Sequence, residues 1–214
     1  RRFVTDAGHE IKTPLAIIMA NTDALELHLG ENKWSRNIRG QSIRLNGLMK
    51  NLLTLARFDE DIASLPMEEI DLSSLFHDCL AAFNEIIERR QLTVIAEIAP
   101  AIKCSGNRES LIQLLTILLD NATKYANTGG DITVSLNAKN NKTIWKIQNT
   151  CETLPGVQPS TLFDRFYRSD AARTPKNGGY GIGLSIAQAI VAMHQGKIEA
   201  FYFDPASICF QVEI

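Results

Sequence analysis

The chain has 214 residues, 45% of them hydrophobic, enough to bury a core in each of one or two domains. Its 22 Lys and Arg are interspersed with 24 Asp and Glu, for a formal net charge of -2, so no electrostatic footprint points to nucleic acid or to an anionic membrane surface. The four cysteines, Cys79, Cys104, Cys151 and Cys209, lie far apart with no Cys-x-x-Cys pair, which fits reduced thiols in a reducing cytosol better than a disulfide framework or zinc site.

The first predicted element is a helix over residues 4 to 29. Val4, Ile11, Leu15, Ile18, Leu25 and Leu29 recur at alternating steps of four and three, with Gly8 and Thr22 completing the series, which is a coiled-coil-like seam. Arg1-Arg2-Phe3-Val4 reads as already inside that helix, so the chain is expected to be a fragment whose upstream part is missing. Gly30 is the expected stop, and a second periodic run passes through Ile38, Leu45, Leu48, Leu52 and Leu55. One such hairpin buries its seam on one side only. Pairing two hairpins into a four-helix bundle is the economical solution, so a homodimer through residues 4–57 is expected. A hairpin packed on its own downstream domain is the alternative.

Residues 58 to 67 are acidic and end near Pro66, which reads as an interdomain joint. The expected division is a helical domain over 1–60, a linker over 61–67 and a second domain over 68–214. The second domain's predicted order is a strand near Ile70, a helix from about Ser74 to Arg90, a strand Leu92 to Ile98, a piece near Ile102 and a long helix from about Arg108 to Ala126. Strands at 131 to 138 and 142 to 148, a glycine-rich stretch at 178 to 183, a helix ending near Gln195 and strands at 197 to 203 and 207 to 213 complete it. This order predicts an α+β sandwich, a mixed sheet with helices on one face. No run of apolar residues reaches the roughly 18 needed to span a bilayer.

Two sites stand out. At about 100° per residue the seam clusters within about 60° of one direction, while His9 falls about 140° away and Thr13 about 180° away, so both are expected to point outward. A neutral imidazole beside Glu10 has the makings of a nucleophile whose second ring nitrogen is held by a carboxylate. The other site lies on the later turns of the 108–126 helix, Asp120-Asn121-Ala122-Thr123-Lys124-Tyr125. There Asn121 can offer an amide oxygen to Mg²⁺, Lys124 an ammonium to phosphates, and Tyr125 a ring to a nucleoside. Gly178-Gly179-Tyr180-Gly181-Ile182-Gly183-Leu184-Ser185 opens a helix, where closely spaced backbone amides can approach phosphates.

Phe3 to Leu15, ending His9-Glu10-Ile11-Lys12-Thr13-Pro14-Leu15, resembles the phosphoacceptor box of sensor histidine kinases. Leu119 to Tyr125 resembles their asparagine box, Phe163 to Arg168 their phenylalanine box, and Gly179, Gly181, Gly183 and Leu184 belong to a stretch like their second glycine box. The resemblance runs the length of the chain in the family's order. It implies that ATP and Mg²⁺ bind in the second domain and that His9 accepts the phosphoryl group with Glu10 assisting proton transfer. It also implies that Thr13 helps position water during dephosphorylation of the partner, a response regulator receiver domain, and that the chain is the cytoplasmic portion of a sensor anchored in the membrane upstream. Residues Tyr167 to Asn177 would form a lid over ATP, with Arg168 opposing phosphate charge. The sequence departs from the family in two places. Ile117 stands where a second asparagine is frequent. The adenine-binding stretch falls without gaps on Asn149-Thr150-Cys151-Glu152-Thr153-Leu154-Pro155, with both glycines and the aspartate replaced, so Asn149 is expected to accept from the adenine amine and ATP affinity to be modest. Two other readings remain: an ATPase of the related gyrase and chaperone superfamily, and a pseudokinase or phosphatase scaffold.

Overall fold

The chain divides into two compact units, residues 1–61 and 62–214. The computed structural model describes residues 2–60, 66–140, 142–168, 181–203 and 206–214, and for residues 2–10, 50–52 and 54–60 the helix backbone only.

The first unit is a hairpin of α1 (Arg2–Leu29) and α2 (Lys33–Glu60). Gly30, at φ +75°, turns the chain out of α1. Asn32 then caps α2: its Oδ1 accepts from the backbone N–H of Trp34 at 2.9 Å and of Ser35 at 3.0 Å, while the Asn32 N–H donates back to Ser35 Oγ at 3.1 Å. Arg39 reaches across the hairpin to Glu26 at 3.3 Å and Asp23 at 3.6 Å. Exposed pairs of this kind contribute at most about 1 kcal/mol each. The predicted seam splits in two. Within the hairpin the buried positions are Leu15 and Thr22 on α1 and Ser35, Ser42 and Met49 on α2, each series stepping by seven. Ile11, Ile18, Leu25, Ile38 and Leu45, also spaced by sevens on each helix, remain about half exposed. Small hydroxylated residues let α1 and α2 pack on one another, and the larger apolar residues lie to the side of that contact.

The second unit starts with β1 (Glu68–Asp71), followed by α3 (Leu72–Ala81), whose N-cap Asp71 accepts from the Ser74 N–H at 3.0 Å. The single helix expected over 74–90 is two. Phe83 leaves helical geometry (φ -99°, ψ 0°) with its N–H on the Leu80 carbonyl at 3.0 Å, and α4 (Asn84–Arg89) follows. No residue of α4 is buried, so nothing apolar holds it in line with α3. Strands β2 (Thr93–Ile98) and β3 (Lys103–Gly106), helix α5 (Arg108–Tyr125), strands β4 (Asp131–Lys139) and β5 (Lys142–Thr150), helix α6 (Gly183–Met193), and strands β6 (Lys197–Phe203) and β7 (Ser207–Glu213) lie close to expectation. A short 3-10 helix at Pro159–Phe163, begun by a proline, adds to the expected order.

β1 pairs antiparallel with β3, and the main sheet runs β2-β4-β5-β7-β6, with β2 parallel to β4 and every other pair antiparallel. It is therefore mixed. Period-two alternation sends Ile132, Val134 and Leu136 of β4 and Thr143, Trp145, Ile147 and Asn149 of β5 to the helix-covered face. Against them α5 buries Leu111, Leu114, Leu115, Leu118 and Leu119, each such side chain stabilising by about 1.5–3 kcal/mol. Phe76 of α3 meets Trp145 edge-on at 5.8 Å. The core thus seats α5 along the sheet through Ala122 and Thr123 and leaves Asp120, Asn121, Lys124 and Tyr125 of its last turns at least partly accessible.

Candidate active site

Those last turns carry the polar group expected from sequence. Asn121 Nδ2 donates to the Ile117 carbonyl one turn back at 2.9 Å, which leaves Oδ1 as the oxygen that a cation can take. Lys124 Nζ lies 5.3 Å from the Tyr125 ring centroid, within cation–π range. Desolvation pushes the Lys124 ammonium below its ordinary pKa, with Arg168 acting in the same direction and Asp120 opposing. Desolvation likewise raises the Tyr125 hydroxyl, with Arg168 opposing and Asp120 reinforcing. Lys124 and Tyr125 are thus partly dehydrated together, with Arg168 and the exposed Asp120 near enough to act on both. Two cations in such a place are electrostatically suited to a polyanion.

The start of α6 adjoins this helix. A Cβ placed on Gly183 would sit 3.5 Å from Ile117 Cγ2, so the side chain that replaces the family's frequent asparagine is an apolar contact at the α6 N-terminus. Ile182, the residue before α6, offers no side-chain cap to its first amides. Gly181 is confined to glycine twice over: its φ is +69°, and a Cβ would collide with the Tyr167 carbonyl and the Phe166 backbone. Its own carbonyl accepts from the Phe166 N–H at 2.7 Å, tying the phenylalanine-box segment to the glycine-rich one. Gly179 and most of the expected lid lie outside the described residues.

Asn149 is 1% exposed at the end of β5, with its Nδ2 donating to the Thr150 carbonyl at 2.8 Å. The amide's donor is used internally and its oxygen is the remaining polar atom. In the loop that follows, neither Cys151 nor Thr153 has a positive φ, so replacing glycine there costs no backbone strain. Thr150 Oγ1 accepts from the Asp131 N–H at 3.1 Å, so this end of β5 borders the turn that leaves α5.

In the other unit, His9, Glu10 and Thr13 all fall within α1. Thr13 is exposed, as expected, and the side chains of His9 and Glu10 lie outside the described residues. Pro14 has no N–H to give the carbonyl of residue 10, which removes one helical hydrogen bond directly after the His-Glu pair. Lys12, Thr13, Ala16, Ile17 and Ala20 line an open, mainly apolar depression on the next turns.

Lys124, Tyr125 and Arg168 thus lie near one another at the α5 end with Asn121 one turn earlier, Gly183 and Leu184 open α6 where Gly183 meets α5 at Ile117, Gly181 packs on Phe166 and Tyr167, and Asn149 is buried at the end of β5. Arg90 was passed over in sequence as the last residue of a helix. Its guanidinium donates to the carbonyls of Thr123, Lys124 and Ala126, at 2.8 Å for the latter two. No local pattern marks such a contact, because the residues joined are more than thirty positions apart.

The family model for the His Kinase A (phospho-acceptor) domain matches residues 1–61. The model for the Histidine kinase-, DNA gyrase B-, and HSP90-like ATPase matches residues 106–211. Sensor protein DltS of Streptococcus agalactiae is 31% identical over 201 residues, covering 94% of this chain and 51% of that protein. Signal transduction histidine-protein kinase BaeS of Escherichia coli is 30% identical over 221 residues, covering 100% of this chain and 46% of that protein. The chain thus spans about half the length of these curated relatives. Among solved structures, full-length ShkA in complex with AMPPNP superposes with a TM-score of 0.79 at 19% identity, over 99% of this chain and 45% of that one. Histidine kinase AdeS of Acinetobacter baumannii superposes with a TM-score of 0.69 at 20% identity, over 96% of each.

Proposed function

The chain belongs to the sensor histidine kinases of two-component systems, and from that premise we propose that it transfers the γ-phosphoryl group of ATP to His9 and from there to an aspartate of a response regulator receiver domain. The observation that carries this reading is the grouping of Lys124, Tyr125 and Arg168 at the end of α5, on the unit that the ATPase model matches, which supports a polyanion site there.

A ring nitrogen of His9 attacks the γ-phosphorus, the bond to the β,γ-bridging oxygen breaks, and ADP leaves. Glu10 holds the proton of the other ring nitrogen; a carboxylate oxygen of the receiver aspartate then attacks the phosphorus, the P–N bond breaks, and His9 leaves as the neutral imidazole. Lys124, Arg168 and the amides of Gly181, Gly183 and Leu184 oppose the charge of the phosphates, and Tyr125 and Asn149 hold the nucleoside, Asn149 through Oδ1. Asn121 Oδ1 suits Mg²⁺, a hard cation that takes few protein oxygens and keeps water and phosphate for the rest; bound there it would neutralise phosphate charge. Thr13 would position water when the receiver is dephosphorylated.

The half-exposed Ile11, Ile18, Leu25, Ile38 and Leu45 support a homodimer through residues 4–57, in which two hairpins cover one another's apolar flanks. The depression from Lys12 to Ala20 supports docking of the receiver one turn beyond His9. The placement we propose, the cytoplasmic side of a membrane-anchored sensor, rests on the family alone. Incubation with radiolabelled ATP and Mg²⁺ tests the activity: acid-labile label is expected, and its loss on chelation of the metal. ATP binding without label would instead favour the pseudokinase or phosphatase scaffold, to which the replaced asparagine at Ile117 lends support.

A further inference from the structure

A helix leaves its last carbonyls without helical partners, and a lysine in the final turn is the usual side chain to fold back onto them. In α5 the Ala126 N–H takes only the Ala122 carbonyl. Lys124 therefore sits beside acceptors that compete with any external anion for its ammonium, at the end of the helix where the dipole is negative and repels phosphate. Arg90 occupies those acceptors: Nη1 donates to Thr123 and Lys124 and Nη2 to Ala126. Its base is fixed as well, since the Arg90 N–H bonds the Ile86 carbonyl at 3.0 Å and its carbonyl accepts from the Gly129 N–H at 3.1 Å. A planar fork serves these carbonyls from two separate nitrogens, whereas a lysine in its place would carry its three donors on one.

We propose that Arg90 is a positioning residue of the nucleotide site: by holding the terminal carbonyls of α5 it keeps the Lys124 ammonium available for phosphate. The proposal rests on the ATP reading above. It differs from a simple capping role in what it affects. A cap that only stabilised the fold would influence all ligands alike, whereas this one acts on the phosphates through Lys124 and leaves the nucleoside untouched.

The test is a set of titrations with ATP and with adenosine on the wild-type chain, Arg90→Ala, Lys124→Ala and the double variant, alongside thermal melting of each. Arg90→Ala is expected to weaken ATP about three- to tenfold, leave adenosine binding unchanged, and add nothing in the Lys124→Ala background. Equal weakening of ATP and adenosine, or losses that add in the double variant, would overturn the proposal while leaving the ATP reading intact. A wild-type chain that binds no ATP would overturn both. Should Arg90→Ala not fold, Arg90→Lys, which keeps the charge but not the fork, is read by the same criterion: ATP weakened with adenosine unchanged supports the role, and any other pattern removes it.

Discussion

The two units use the same raw material in opposite ways. In the α/β unit, Leu111, Leu114, Leu115 and Leu118 of α5 are 0–1% exposed against the sheet, while in the hairpin Ile18, Leu25 and Leu45 remain 46–52% exposed although they repeat just as regularly. The difference teaches that regular spacing of apolar residues specifies a face but not what covers it. One unit completes its core within the chain, and the other leaves an apolar flank uncovered among its described residues, which is what the proposed homodimer would bury. In the proposed mechanism their chemistry divides likewise, with the acceptor His9 on α1 of the hairpin and the nucleotide groups on the α/β unit.

The sharpest test of that division is His9→Gln, which is expected to abolish acid-labile labelling entirely while ATP titration stays at its wild-type value. Residual label would mean that the acceptor is not confined to the hairpin. Next in size, Leu45→Glu should convert the dimer to a monomer by light scattering without shifting the melting of the α/β unit. Leu118→Ala should do the reverse, costing that unit about 2–5 kcal/mol in denaturant unfolding while leaving the dimer intact. If both variants changed both properties, the units would not be independent.

A smaller effect is expected at Asn149. Replacing it by Asp removes the bond from Nδ2 to the Thr150 carbonyl and sets oxygen against oxygen in a buried place. The ligand-free domain should lose about 1–3 kcal/mol, yet a charged acceptor should tighten ATP by up to about tenfold. Differential scanning fluorimetry with and without ATP would display both as a larger ligand-induced shift from a lower starting point. An unchanged shift would remove Asn149 from the nucleotide contacts.

The smallest effect is on pH. Desolvation holds Lys124 below its ordinary value of 10.5, so the unfolded chain binds the proton more tightly than the folded one. Stability of the α/β unit should therefore rise with pH between the lowered pKa and 10.5. ATP affinity should move the other way, falling as the ammonium deprotonates below 10.5. Lys124→Ala should flatten the affinity profile.

What was legible in the sequence depended on how local its cause is. Strands β6 and β7 emerge from alternation and their turn, and α5 from an apolar stripe ending in Asn121, Lys124 and Tyr125, so both match expectation. The break at Phe83 has no glycine or proline to announce it, and the buried Thr22, Ser35 and Ser42 carry no apolar signal, so the hairpin's inner contact could not be separated from its outer one. Cys151 and Thr153 stand where the family has glycines, which in sequence alone looks like a loss, whereas the backbone needs no left-handed residue at either position. Arg90 was invisible for the reason given by its partners, which are close only after folding.

The two tryptophans fall one to each unit, and their surroundings are opposite. Trp34, at the first turn of α2, is 67% exposed, while Trp145 is 1% exposed against Phe76. An indole emits at longer wavelength in water than among apolar groups, and only the exposed one is reached by a quencher such as acrylamide. The chain therefore carries its own two-colour label: the quenchable red emission belongs to the hairpin and the protected blue emission to the α/β unit, and a single heating curve would report which of them melts first.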